Sequence, residues 1–216
     1  MLLVVDVGNT QTHLGTYDGA ELAEHWRFAT VRDSTADELG IALRNLLALR
    51  GLSFADLDAS IVSATVPQLR QEWTTMAGRY LAHEMLLVGP GLRTGMPIRY
   101  DNPREIGPDR LVNAVAGYDR AGGAVVIVDF GTAVTHDVVS AGGEYLGGVI
   151  FPGVEISLEA LAERAVALPR IDLAQPRALL GTTTADAIVP YCNSIAEVDD
   201  LLTLTGLRLI WERNRA

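Results

Sequence analysis

Cysteine is nearly absent from this chain. Cys192 stands alone among 216 residues, so no disulfide can close within it. That excludes a small cross-linked secreted scaffold, and a cytoplasmic setting is expected. For Cys192 itself, a small apolar filler is the simpler role than a reactive thiol. Basic charge is scarce too: 17 Lys and Arg face 27 Asp and Glu, for a formal net charge of −10 and a pI near 4.8. Nucleic acid and anionic membrane are thereby excluded as main partners. An anionic nucleotide is not, because a few local donors and a metal can override the global sign. Long apolar runs are missing as well, and nothing approaches the roughly 20 residues a bilayer requires. The apolar run before Asp6 lacks a basic flank and is too short for a signal segment. His, Cys and acidic residues show no zinc spacing. What remains is a chain 49% hydrophobic and 20% charged, enough for one large domain or two small ones with a core of their own.

Two stretches organise it. Leu2-Leu-Val-Val-Asp-Val-Gly-Asn-Thr10 is an apolar run ending on a carboxylate, a glycine and two small polar residues. Such a run reads as a buried strand whose C-terminal end opens into a site. Gly8 lets a phosphate come close to the backbone, and Asn9 and Thr10 add donors, making a small anion cradle. Alone this is a common strand–turn pattern. Val125-Val-Ile-Val-Asp-Phe-Gly-Thr-Ala133 repeats it, with Asp129, Gly131 and Thr132 in the same places. Each copy runs on into a hairpin. Two related half-domains, 1–120 and 121–216, facing across a cleft are therefore expected, with nucleotide phosphates and their metal between the loops. This pattern resembles the actin-like (ribonuclease H-like) α/β fold of sugar kinases, actin and heat-shock chaperones.

Read in order, strands are predicted at 2–7, 11–17 and 21–29. Thr35-Ala-Asp-Glu38 has the form of a capping box, and Gly51 can end the helix behind it in the left-handed conformation. A strand at 59–64 follows. A helix opened by Pro67 then places Leu69, Trp73, Met76 and Tyr80 on one face. A strand at 85–88 completes a βββαβαβ half. The long Gly- and Pro-bearing loop from Gly89 reads as functional. It closes on Gly107-Pro-Asp-Arg110 before a helix from Leu111 to about Arg120. Asp109 falls at or near the N-cap, where a plain cap and a site residue are both open. For Arg110 a solvated surface charge is equally open. Strands at 124–129, 133–139 and 144–151, a glycine-rich turn into a helix at Gly153, and a further helix after Gly181-Thr-Thr-Thr184 fill the second half.

With these residues in hand, the chain resembles the type III pantothenate kinases. The resemblance rests on Asp6-Val-Gly-Asn-Thr10, Pro97-Ile-Arg-Tyr-Asp-Asn-Pro103, Gly107-Pro-Asp-Arg-Leu-Val-Asn-Ala114, Asp129-Phe-Gly-Thr-Ala133, and Gly143-Glu-Tyr-Leu-Gly-Gly148 with Pro152-Gly153. It runs in order from residue 1 to about Asp186. It implies transfer of a phosphoryl group from ATP to the primary hydroxyl of pantothenate, the first step of coenzyme A synthesis, by a cytoplasmic homodimer. It also implies Mg²⁺ with ATP and a monovalent cation, K⁺ or NH₄⁺. ATP would be held by Asp6, Val7, Gly8, Asn9, Thr10, Gln11, Thr12, His13 and Thr132, with Asp6 near the divalent metal. Asp129 would bind the monovalent cation. Tyr100, Gly107, Pro108, Asp109, Arg110 and Thr184 would line the pantothenate site, with Asp109 as proton acceptor.

The sequence departs from the family pattern in places. Gln11 replaces the usual Asn and His136 the usual Phe. After Asp186 the family text is lost, together with a later Thr-Gly-Gly stretch. Asp6 and Asp129 lie 123 positions apart, yet only 87 residues follow Asp129. The second half therefore reads as truncated at its C-terminal side, short by about one βαβ unit, with Ile195 to Ala216 expected to pack poorly or lie loosely on the surface. A catalytically impaired or regulatory relative that keeps the fold is the alternative. An actin-like ATPase or another small-molecule kinase is a third, which the Gly107-Pro-Asp-Arg110 context disfavours.

Overall fold

The structure is a computed structural model and describes residues 1–165, 195 and 197–215. A five-stranded sheet has the order β3-β2-β1-β4-β5, formed by β1 (Leu2–Val7), β2 (Gln11–Asp18), β3 (Glu21–Ala29), β4 (Ala59–Ala64) and β5 (Met85–Leu87). The first three strands form an antiparallel meander, and β4 and β5 run parallel to β1. That order follows from chain economy: tight turns join antiparallel neighbours, while parallel neighbours need helical crossovers. The crossovers are α1 (Ala36–Ala48) and α2 (Pro67–Tyr80).

Alternation along β1 sorts its side chains onto two faces. Leu3, Val5 and Val7 pack with the buried side of α1 and α2, including Leu39, Leu43, Leu69, Trp73 and Met76. Leu2 and Val4 point to the other face, into a cluster with Val112 and Val115 of α3 (Pro108–Ala121). Asp6 shares the phase of Leu2 and Val4, so the strand directs its carboxylate to the α3 face. The capping box forms as expected: the Glu38 N–H donates to Thr35 Oγ1, and the Thr35 N–H donates to the Glu38 carboxylate. Gly51 adopts a φ of 72° past the end of α1. Tyr80 differs from expectation. It is 42% exposed, because its hydroxyl reaches Asp37 at 2.6 Å rather than turning inward.

A three-stranded sheet, β6-β7-β8, follows. It comprises β6 (Val125–Phe130), β7 (Ala133–Val139) and β8 (Tyr145–Pro152), before α4 (Val154–Arg164). Several apolar side chains here stand exposed, among them Val126, Phe130, Leu146, Ile150 and Phe151. By contacts the chain divides into two compact units. One holds Met1–Ile127, Asp137–Gly148 and Leu201–Ala216, and the other holds Val128–His136 and Val149–Asp200. The units are drawn by packing and the halves at 1–120 and 121–216 by the sequence repeat. The C-terminal helix is where the two divisions differ most.

That helix, α5 (Leu202–Asn214), corrects the expectation of a loose tail. Leu204, Leu207 and Ile210 are buried to 2% exposure or less, in one cluster with Leu2, Val4, Val112 and Val115. Gly206 lies so close to the Val112 carbonyl that a Cβ there would collide with backbone. Thr203 Oγ1 donates to Asn113 Oδ1 at 2.6 Å, and Asn214 exchanges hydrogen bonds with the backbone of Arg93. Each fully buried leucine or isoleucine is worth about 1.5–3 kcal/mol, so α5 is a structural wall of the first unit. A tail without the family's later motifs still packs here, because its apolar residues recur at helical spacing against the face of β1 that holds Leu2 and Val4.

Candidate active site

The first loop is built by β1 and β2. Gly8 N–H donates to the Gln11 carbonyl at 3.0 Å, and a Cβ on Gly8 would sit 2.9 Å from that oxygen. The glycine is therefore needed to close the turn on itself. Val7 is buried in the core. Asn9 and Thr10 form the exposed tip, where Thr30 N–H donates to the Thr10 carbonyl at 2.9 Å. Thr12 is buried and shares a 2.9 Å hydroxyl contact with Thr30. His13 is the register partner of Asp6. Burial, then the charges of Arg27 and His25, hold its pKa below the ordinary histidine value. A neutral imidazole at the edge of this turn can donate or accept one hydrogen bond without adding charge.

The second site region lies where α3 begins, at Pro108 rather than at the expected Leu111. The N-cap is Gly107, and the helix starts at Pro108. Asp109 therefore sits in the first turn. Its carboxylate folds back over Gly107, where any side chain would collide with it. Burial raises the Asp109 pKa above the ordinary carboxylate value. Hydrogen bonds from the Arg110 and Asp109 backbone N–H groups pull the other way, and the charge of Asp137 adds to the rise. A half-buried carboxylate with a raised pKa is suited to accept a proton.

Arg110 is no solvated surface charge. Its side chain is 7% exposed and faces Asp137 of β7, itself 1% exposed. Arg110 Nε donates to Asp137 Oδ1 at 2.9 Å, and the Tyr145 hydroxyl donates to the same oxygen at 2.6 Å. Arg110 Nη2 also lies 2.7 Å from Oδ1, but off the line of a hydrogen bond, and it has no acceptor among the described residues. Burial lowers the Arg110 pKa, but the hydrogen bond and charge of Asp137 outweigh this and hold it above the ordinary value. Tyr145 is anchored on both sides of its backbone. Its N–H donates to the Pro97 carbonyl at 2.9 Å, and its carbonyl accepts from Arg99 N–H at 2.8 Å. The long loop is thus pinned beside β8, which sets the Tyr100 ring 6.3 Å from the Tyr145 ring and against Gly147.

The structure therefore gathers Tyr100 and Gly107 to Arg110 into one constellation and adds two members, Asp137 and Tyr145. A signal for Asp137 was present in the sequence. It falls on the buried phase of β7 with Thr135 and Val139, where a carboxylate needs a partner. Asp129 and Thr132 belong to the other unit. There Gly131 N–H donates to the Ala133 carbonyl at 3.0 Å, and Gly153 N–H donates to the Thr132 carbonyl at 2.9 Å. Thr184 and Cys192 lie outside the described residues. No group of three or more His, Cys, Asp or Glu side chains able to hold a metal occurs among the described residues. Asp6 and Asp129 each carry hard carboxylate oxygens of the kind that hard cations accept.

A 3-2-1-4-5 mixed sheet, followed by a second Asp-x-Gly hairpin, defines an α/β protein of the actin-like class. A solved structure from Campylobacter jejuni, described as a Baf family transcriptional activator, shares the fold at a TM-score of 0.59, with 14% identity over 98% of each chain. The chain belongs to the type III pantothenate kinases: the profile of that family matches residues 2–192. A relative of that description from Anaeromyxobacter sp. (strain K) is 45% identical over 254 positions spanning the whole of both chains. Another, from Moorella thermoacetica, is 42% identical over 253 positions, taking in 99% of this chain and the whole relative. The first alignment lays 216 residues on 254 positions, a difference of 38. Because it reaches both ends of both chains, the shortfall is internal and the C-terminal helix is part of the match.

Proposed function

We infer that this protein phosphorylates the primary hydroxyl of pantothenate with ATP, the first step of coenzyme A synthesis. The observation that carries the reading is the start of α3, where a carboxylate with a raised pKa adjoins a buried arginine. Phosphoryl transfer asks a protein for positioning and charge neutralisation more than for covalent chemistry. In this reading Asp109 takes the hydroxyl proton as the P–O bond forms. Arg110 holds the substrate carboxylate through its remaining N–H groups, and Tyr100 packs along the pantoyl end. Asp6 to His13 and Thr132 hold the nucleotide, and Thr184 completes the substrate site. A divalent cation near Asp6 would supply charge neutralisation on the phosphates.

The finer assignments are part of the same proposal. Asp129 holds a monovalent cation, K⁺ or NH₄⁺, and the active form is a cytoplasmic homodimer. No helix among the described residues is long and apolar enough to cross a membrane, which is compatible with that setting. A coupled ADP-release assay tests the main reading. Pantothenate should support turnover, and sugars should not. Turnover with sugars and not pantothenate would replace the substrate assignment. Raising K⁺ at constant ionic strength should activate the parent and leave Asp129→Ala unresponsive. Equal rates of the parent in Na⁺ and K⁺ would remove the cation from Asp129.

A further inference from the structure

One buried group plays no part in the mechanism above. Asp137 is 1% exposed, and its Oδ1 accepts from Arg110 Nε at 2.9 Å and the Tyr145 hydroxyl at 2.6 Å, with Arg110 Nη2 2.7 Å away. A buried ion pair is a poor device for stability, since desolvation offsets much of its attraction. It is an effective device for orientation. Arginine has a long, rotamer-rich stem, and an unheld guanidinium would have to be ordered each time a ligand arrived. Here Nε and the near side of Nη2 are turned onto one oxygen. That oxygen is itself fixed by a tyrosine whose backbone is bonded on both sides. Nη2 nonetheless keeps N–H capacity with no acceptor among the described residues, although it is buried. A buried donor without an acceptor is costly to leave so, and a bound anion would supply one.

We infer that Asp137, steadied by the Tyr145 hydroxyl, is a positioning residue: it fixes the Arg110 guanidinium so that its unused N–H groups meet the carboxylate of the substrate. Asp137 does not touch the substrate in this arrangement. It sets how strongly the site prefers a carboxylate over a neutral group at that end of the molecule. The inference rests on the reading of Arg110 as the carboxylate partner.

Calorimetric titration of the full chain tests it without requiring turnover. The two probes are pantothenate and the analogue in which the carboxylate is replaced by a primary alcohol. The parent should bind the carboxylate more tightly, and Arg110→Gln should abolish that preference. Asp137→Asn should weaken pantothenate by about 10–100-fold, the usual effect of losing a partner that orients a ligating group, while changing the alcohol by no more than about twofold. Tyr145→Phe removes one hydroxyl and keeps the charge pair, so it should move the preference the same way by less. If Asp137→Asn does not fold, Tyr145→Phe decides by the same criterion. Equal weakening of both probes would make Asp137 a structural residue and overturn the inference. A preference lost in Arg110→Gln but kept in Asp137→Asn and Tyr145→Phe would overturn the positioning alone. A preference that survives Arg110→Gln, or is absent from the parent, would overturn the Arg110 reading and the inference with it.

Discussion

The two Asp-x-Gly hairpins start from nearly the same sequence and end in different surroundings. In each, the glycine N–H closes the turn on a carbonyl of the following strand, Gln11 in the first and Ala133 in the second. The first hairpin lies in a five-stranded sheet whose β1 is buried on both faces, by α1 and α2 on one and by α3 and α5 on the other. The second lies in a three-stranded sheet, with Val126, Phe130 and Ile150 more than half exposed. Local sequence thus dictates the turn, and long-range packing dictates how firmly it is held. The side chains proposed for acid–base and anion-binding work, Asp109 and Arg110, belong to the same compact unit as the first hairpin, and their partners Asp137 and Tyr145 come from β7 and β8.

The largest effect should come from removing the proposed base. Asp109→Asn is expected to lower turnover by roughly two to four orders of magnitude. Stability should respond in the opposite sense. Burial raises the folded-state pKa of Asp109 above its ordinary 3.8. The native state therefore gains from this group when it is protonated, below the ordinary value, and loses that gain as pH rises through the raised value. At neutral pH the ionised carboxylate is a cost that asparagine does not carry. Melts at pH 7 should show Asp109→Asn no less stable than the parent, and the acid limb of the parent's pH–rate profile should lie above pH 3.8. A variant turning over within about threefold of the parent, far short of a base's usual worth, would leave Asp109 as a mere component of the helix start.

The contrast in packing is broken most directly by paired truncations. Leu207→Ala in α5 empties a fully buried site and should cost about 2–5 kcal/mol. Val126→Ala on the exposed sheet should stay within about 0.5 kcal/mol. Urea denaturation of both measures the difference. Similar small costs would return α5 to a loose tail.

A finer test concerns α4. Its N-cap is Gly153, with no side-chain hydrogen bond. At an ordinary N-cap, serine would equal or improve on glycine by a few tenths of a kcal/mol. Here a Cβ would run into the Gly131 and Thr132 carbonyls. Gly153→Ser should therefore destabilise by about 1–3 kcal/mol, as overpacking does, and weaken ATP more than pantothenate in calorimetric titrations. Stabilisation instead would show the second loop to be pliant.

Much of this was legible in the sequence, for identifiable reasons. The continuous apolar run of β1, Pro67 at a helix start and the Thr35–Glu38 box are local signals, and the elements formed where those signals lay. The site was legible where motif residues cluster along the chain, as Gly107 to Arg110 do. It was not legible where distant residues meet. Asp137 lies 27 positions from Arg110, and only the passage of β7 beside the start of α3 brings them together. The start of α3 lies at Pro108 rather than Leu111, because its N-cap is a glycine, which has no side chain to signal a cap. The role of α5 was hidden because its partners, Leu2 and Val4 of β1 and Val112 and Val115 of α3, lie far upstream in the chain.

The smallest effect sharpens the contrast between capped α1 and uncapped α4. Thr35 Oγ1 accepts from Glu38 N–H at 3.3 Å, a long bond, while the Glu38 carboxylate accepts from Thr35 N–H at 2.8 Å. A second carboxylate, Glu72 of α2, accepts from Ala36 N–H at 2.7 Å. Three of the helix's early donors are therefore served by different groups, and losing the threonine hydroxyl exposes only one. Thr35→Ala should cost about 0.5–1 kcal/mol, the low end for an N-cap. For a chain of this size that is a fall of about 2–4 °C in Tm at most. Thr35→Ser keeps the oxygen and should restore the parent value. If Thr35→Ala melts with the parent, Glu72 holds the start of α1 by itself. Glu72→Gln, which removes the charge favoured at a helix N-terminus, should then produce the larger loss.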